Sequence, residues 1–109
     1  MGTIHHDAIV ITSSDEKELN AARNKAATLG LDCSEIVQSK ANGYQSFFIA
    51  PDGSKEGWES SNKGDEIREA WIRWARERNR VDWAHIRFGG DNYEMSELSD
   101  HSGRFIDDY

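Results

Sequence analysis

The first apolar run of the chain, Ala8-Ile9-Val10-Ile11 within His5–Thr12, is β-branched and of strand length. Ser13-Ser14-Asp15-Glu16 follows, and Ser13 with Glu16 three residues on has the spacing of a capping box, which predicts a helix starting there. Leu19, Ala22, Ala26 and Leu29 recur at three- and four-residue steps and give that helix one apolar face, and Gly30 is placed to end it in the left-handed conformation. Ser34–Ala41 and Tyr44–Ala50 then flank Asn42-Gly43, a strong hairpin signal because both residues tolerate positive φ. A two-residue turn there sets Lys40 opposite Gln45, Gln38 opposite Phe47, Val37 opposite Phe48 and Ile36 opposite Ile49. Pro51-Asp52-Gly53 closes the second of these strands, and residues 51–61 read as a polar loop holding Trp58. A second helix is predicted from Asn62–Asp65 to about Asn79, with Ile67, Ala70, Trp71, Trp74, Ala75 and Arg78 along one side. Val81–Phe88 alternates as a half-buried strand does. After the turn Gly89-Gly90-Asp91-Asn92, Tyr93–Leu98 either pairs back as a short edge strand or extends without structure, and Ser99–Tyr109 is expected to be mobile.

The order strand, helix, strand, strand, helix, strand is that of an α+β domain of ferredoxin-like (split β-α-β, βαββαβ) type. It has an antiparallel sheet, two helices on one face, and an optional fifth strand at the C-terminal edge. Right-handed crossovers place the first and third strands, the most apolar two, in the middle. Alternation then assigns Ile9, Ile11, Ile36, Phe47, Ile49, Ala84, Ile86 and Phe88 to the helix side. Ala8, Val10, Val37, Tyr44, Phe48, Trp83, His85 and Arg87 go to the open side. A one-residue slip on any strand exchanges its two faces. Three aromatics and two valines are too much apolar surface to leave wet on a small monomer. Three covers are open: the C-terminal stretch with Tyr93, Met95, Leu98, Phe105 and Ile106, a second copy in a sheet-to-sheet homodimer, or another macromolecule.

Composition narrows the field. With 109 residues the chain fits one domain. Only 37% of it is apolar and 30% is charged, so its four tryptophans must anchor much of the core. The net charge is -7, and residues 90–109 hold six acids against Arg104 alone. The body, residues 1–90, is therefore a nearly neutral domain, and residues 91–109 an acidic extension that is partly ordered or packed on the sheet. Such a balance disfavours nucleic acid, which requires cation density along the phosphates, and suits a partner with a basic surface. No run nears the ~18 apolar residues of a membrane span, no secretory pattern opens the chain, and Cys33 is the single cysteine. A soluble cytoplasmic protein is the expectation.

No general acid–base pair, catalytic triad or metal-ligand spacing stands out, so these residues argue against an enzyme without excluding one, and no metal or cofactor is expected. His5, His6 and His85 lie near one another in the expected fold, but without ligand spacing they read as surface or edge-strand histidines. Asp52-Gly53-Ser54-Lys55-Glu56-Gly57-Trp58 lacks phosphate-loop spacing. Trp58 there reads as a plug for the helix layer, with Lys55 facing solvent or contacting an anion. Nothing basic adjoins Cys33, and Trp71 with Trp74 at helical spacing reads as core. Arg73, Arg76, Arg78 and Arg80 complement the helix dipole and pair locally, as Glu69 would with Arg73. The expected binding residues are Tyr44, Phe48, Trp83 and His85 on the open face and Lys55 and Trp58 in the loop.

Asn42-Gly43-Tyr44-Gln45-Ser46-Phe47-Phe48-Ile49-Ala50-Pro51-Asp52-Gly53-Ser54-Lys55-Glu56-Gly57-Trp58, with the upstream AIVITSSDEK, resembles small proteins encoded by bacteriophages and prophages, over roughly residues 5–75. The resemblance carries no catalytic residues. It implies a viral or prophage origin and, by analogy with small acidic phage proteins, an inhibitor or modulator that occupies the surface of a host protein. The second reading is a small-ligand or anion-binding module, or a minor enzyme, centred on the Asp52–Trp58 loop.

Overall fold

Asp7–Ile11 forms the spine of β1 (His6–Ser13), and the residues it places on one side, Ile9 and Ile11, are fully buried. This computed structural model describes residues 6–51, 59–78, 80–89 and 96–103. Its remaining elements are α1 (Glu16–Leu29), β2 (Val37–Gln38), β3 (Gln45–Ile49), α2 (Glu59–Arg76), β4 (Asp82–Phe88) and β5 (Ser96–His101). The five strands form one sheet in the order β2-β3-β1-β4-β5, antiparallel at every pairing. The molecule is thus a small α+β fold, with both helices packed on one side of the sheet around a shared core.

α1 begins one residue after the cap. Asp15, not Ser13, is the N-cap: its carboxylate accepts from the Glu18 backbone N–H at 3.2 Å, while Ser13 Oγ donates to the Arg80 carbonyl at 2.6 Å and ties β1 to the approach to β4. Gly30 ends the helix at φ 92°, as its position predicts. Leu19, Ala22 and Ala26 are buried against the sheet, and the Trp71 indole Nε1–H donates to the Ala22 carbonyl at 3.0 Å, which fixes α2 against α1. Trp71 meets Trp83 edge-on at 6.1 Å and Trp74 at 6.3 Å, so three of the four tryptophans build one aromatic centre.

Several expectations are corrected. The hairpin closes with Ser39 N–H on the Tyr44 carbonyl and pairs Gln38 with Gln45 and Val37 with Ser46, two residues from the expected register. The loop holds four residues, with Asn42 and Gly43 both at positive φ, because the Ser39 hydroxyl donates to the Ala41 carbonyl and widens the turn. A two-residue shift preserves the faces. On β4, by contrast, the faces are exchanged. Ile9 pairs with His85 and Ile11 with Trp83, which puts Trp83, His85 and Arg87 on the helix side and Ala84, Ile86 and Phe88 on the open side. Burying Trp83 against Trp71 removes more apolar surface than burying Ile86 would, and the exchange also gives Asp7 its partners. Helix α2 starts at Glu59, inside the expected loop, and stops at Arg76. Of the acidic extension, Ser96–His101 form β5, which pairs edge-on with β4, so Ser99–His101 belong to the sheet; Tyr93, Met95, Phe105 and Ile106, expected as a cover for the open face, lie outside the described residues.

Candidate functional site

Two surfaces stand out: the open side of the sheet, and a cavity on its helix side.

The open side follows from strand alternation. Val10 lies between Phe48 on β3 and Ala84 on β4, Ala8 beside Ile86, His6 beside Phe88, and Ile86 beside Leu98 on β5, while Val37 of β2 sits by Ser46. Tyr44 continues the same side just before β3. The large apolar side chains that stay exposed among the described residues are Val10, Val37, Tyr44, Phe48, Phe88 and Leu98, from 38% exposed at Phe88 to 65% at Val37. By register Val10, Val37, Phe48, Phe88 and Leu98 lie on this one face, and Tyr44 precedes β3 at the same parity. Thr12 and Ser46 hydrogen-bond to each other across it at 2.9 Å. Among the described residues its interior carries no carboxylate or guanidinium; Asp82 stands at the rim beside Thr12. His6 meets Phe88 at a tilt, with ring centroids 5.5 Å apart, on the opposite side of the sheet from His85, so these two histidines do not converge.

The cavity, of about 310 Å³, lies between α2 and the helix-facing side of β1, β4 and β5. Asp65, Arg68, Glu69 and Ile72 line it from α2; Asp7, His85, Arg87, Ser99 and Asp100 line it from the sheet. Asp7 shares strand parity with Ile9 and Ile11, and its side chain is fully buried. One carboxylate oxygen, Oδ1, accepts from Arg87 Nε at 3.0 Å and lies 3.0 Å from His85 Nε2. Burial alone would push this carboxyl up. The hydrogen bonds from His85 and Arg87, with their charges, outweigh burial and hold it far below the ordinary carboxylate range. Arg68, only 3% exposed, donates from Nη1 to Asp65 Oδ1 at 2.8 Å. Asp100 is ion-paired with Arg76, whose guanidinium also lies 5.6 Å from the centre of the Trp83 ring. The β4–β5 register shifts between His85 and Ile86, and the extra residue on β5 is Ser99.

Of the expected binding residues, Tyr44 and Phe48 lie together on the open face. Trp83 is core, and His85 belongs to the cavity. Lys55 and Trp58 lie outside the described residues, and so does the Asp52–Trp58 loop as a whole. Pairing of the basic residues that follow α2 runs farther than expected: Arg78 reaches Glu18 at 3.2 Å and covers Trp74 at 4.4 Å, and Arg80 reaches Asp15 at 3.5 Å. Burial pushes the Cys33 thiol up, with Arg23 opposing and Asp32 adding to the rise. Asp7, Arg68 and Asp100 were not foreseen as site residues. The readable signal was Asp7 itself, an acid in core register with Ile9, which demands basic partners at matching positions on a neighbouring strand.

Among the described residues no helix is long and apolar enough to cross a membrane, and no group of three or more His, Cys, Asp or Glu is placed to hold a metal ion. Comparison with known proteins gives no match to a protein family, to a curated protein or to a solved structure.

Proposed function

We propose that the protein acts by protein–protein contact and that the open face of its sheet is the contact surface, covered by a second copy in a sheet-to-sheet homodimer. The observation that carries this is the segregation of exposed apolar side chains: Val10, Phe48, Phe88 and Leu98, with Val37 and Tyr44 at one edge, share a single face whose interior is uncharged. Two copies of a chain of net charge -7 repel each other, so they associate best through a face that brings no further like charge together. A two-fold axis through such a face makes it self-complementary. The resemblance to phage and prophage proteins directs the further partner to a bacterial host protein in the cytoplasm, which this protein inhibits or modulates. The same reading takes β1–β4 and the two helices as a ferredoxin-like unit with β5 added at its edge; the placement of β1 between β3 and β4 supports it.

Light scattering on the full chain is the test. The expected mass is twice 12.4 kDa at micromolar concentration. Phe48→Lys or Val10→Asp is expected to weaken association by about tenfold or more, because a charge is then desolvated at the centre of the contact. The thermal melt of the isolated subunit changes little, since both side chains are exposed. A wild-type chain that stays monomeric at all concentrations, or variants that associate as well as wild type, would overturn the proposal.

A further inference from the structure

The cavity beside α2 plays no part in that contact. We infer that it is a binding site for a compact zwitterion, a molecule of free amino-acid size bearing one carboxylate and one ammonium group. Both walls carry charges of both signs. On the sheet side stand His85 and Arg87, with Asp7 fully buried behind them, the Arg87 side chain 45% exposed, and Asp100 held from outside by Arg76. On the helix side stand the carboxylates of Asp65 and Glu69, the first held by Arg68. A simple anion seated on Arg87 would face Asp65, Glu69 and Asp100 across a space of only about 310 Å³. A simple cation would face Arg68 and Arg87. A dipolar ion satisfies both walls, with its carboxylate on Arg87 and His85 and its ammonium on Asp65 and Glu69. Ile72 offers apolar lining for the carbon skeleton, and the volume is at the small end of the ~300–1,000 Å³ of ligand pockets, which limits the side chain the ligand can carry.

Stability does not call for this arrangement. The rest of the helix-facing side of the sheet is filled by Ile9, Ile11, Phe47, Ile49 and Trp83, and filling the corner the same way is commonly neutral or stabilising. The bulge that brings Ser99 to the lining is the kind of irregularity found beside binding sites.

The test is an NMR titration of the ¹⁵N-labelled full chain with glycine, L-alanine, L-glutamate and L-arginine. Acetate, methylammonium and inorganic phosphate serve as single-charge controls. At least one amino acid is expected to saturate at or below about 1 mM, moving the amides of residues 65–72, 85, 87 and 99–100, while each control needs at least about tenfold more. Glu69→Gln, at an exposed position on α2, is expected to weaken that binding by about tenfold with an unchanged melt, and Arg87→Gln to weaken it further. The inference fails if a single-charge control binds as tightly as the best amino acid, or if no amino acid binds below about 10 mM. It also fails if Glu69→Gln leaves the affinity as it was.

Discussion

Asp7 sits in the same register as Ile9 and Ile11, on the side of β1 that faces the helices, and its charge survives there because His85 and Arg87 both reach one of its oxygens. Asp7→Asn keeps the shape and removes the carboxylate charge that His85 and Arg87 both reach. The expected loss of stability is roughly 2–3 kcal/mol by urea unfolding, at the lower end for a broken buried pair because Arg87 is partly solvated. The acid dependence follows from the lowered pKa. The folded chain keeps Asp7 ionised at pH values where the unfolded chain already binds a proton, so this group's stabilisation is complete above the ordinary value of 3.8 and declines as the pH falls below it. Stability measured between about pH 6 and pH 2 should therefore drop less steeply in Asp7→Asn than in wild type. Parallel curves would show that the network around Asp7 holds no net advantage for the folded state.

Among the elements, β1 and α1 were legible because each is specified locally. The β-branched run at Ile9–Ile11 has no other use, and Gly30 at φ 92° ends α1 where the apolar spacing stops. Gly30→Ala is accordingly expected to cost about 1 kcal/mol, read as a lower melting temperature, since Ala must adopt the left-handed conformation at that position. The second half was less legible for an equally physical reason. On β4 the set Ala84, Ile86 and Phe88 is the more apolar by count, but Trp83 outweighs it in buried area, and Asp7 lies one strand away with a charge to neutralise. Neither fact is visible within the strand itself. The sequence offers β5 as one option at the edge of the sheet but not its reach to His101, because its own residues are polar and its pairing is decided by the exposed edge of β4 and by Asp100 meeting Arg76. A chain ended after Gly90 therefore loses more than a tail. It is expected to melt at a lower temperature and to associate further through the bare β4 edge, read by a melt and by light scattering against the full chain. Apart from Asp7, the cavity residues were unreadable for the same reason as β4: Asp65 and Arg68 of α2 meet His85 and Arg87 only once the faces of β4 are known.

At the scale of the whole molecule, charge and apolar surface are sorted to opposite sides of one sheet. The helix side gathers Asp7, His85, Arg87 and Asp100 around the cavity, whereas the open side gathers Val10, Phe48, Phe88 and Leu98 around an uncharged centre. This sorting lets salt distinguish a contact through the open face from one made by the acidic C-terminal residues. Contact between two copies through the open face brings together apolar groups, while the rest of each subunit carries its share of a net charge of -7 and repels the other. Added salt screens that repulsion over a Debye length of ~10 Å at 0.1 M and leaves the apolar contact untouched. Self-association is thus expected to strengthen, by about two- to threefold, between ~0.05 and ~0.5 M sodium chloride in sedimentation equilibrium. A contact made by the acidic C-terminal residues on a basic surface would respond in the opposite direction, weakening steeply over the same range. The sign of the salt dependence alone therefore decides which part of the molecule holds two subunits together. Phe48→Lys should abolish the effect if that part is the open face.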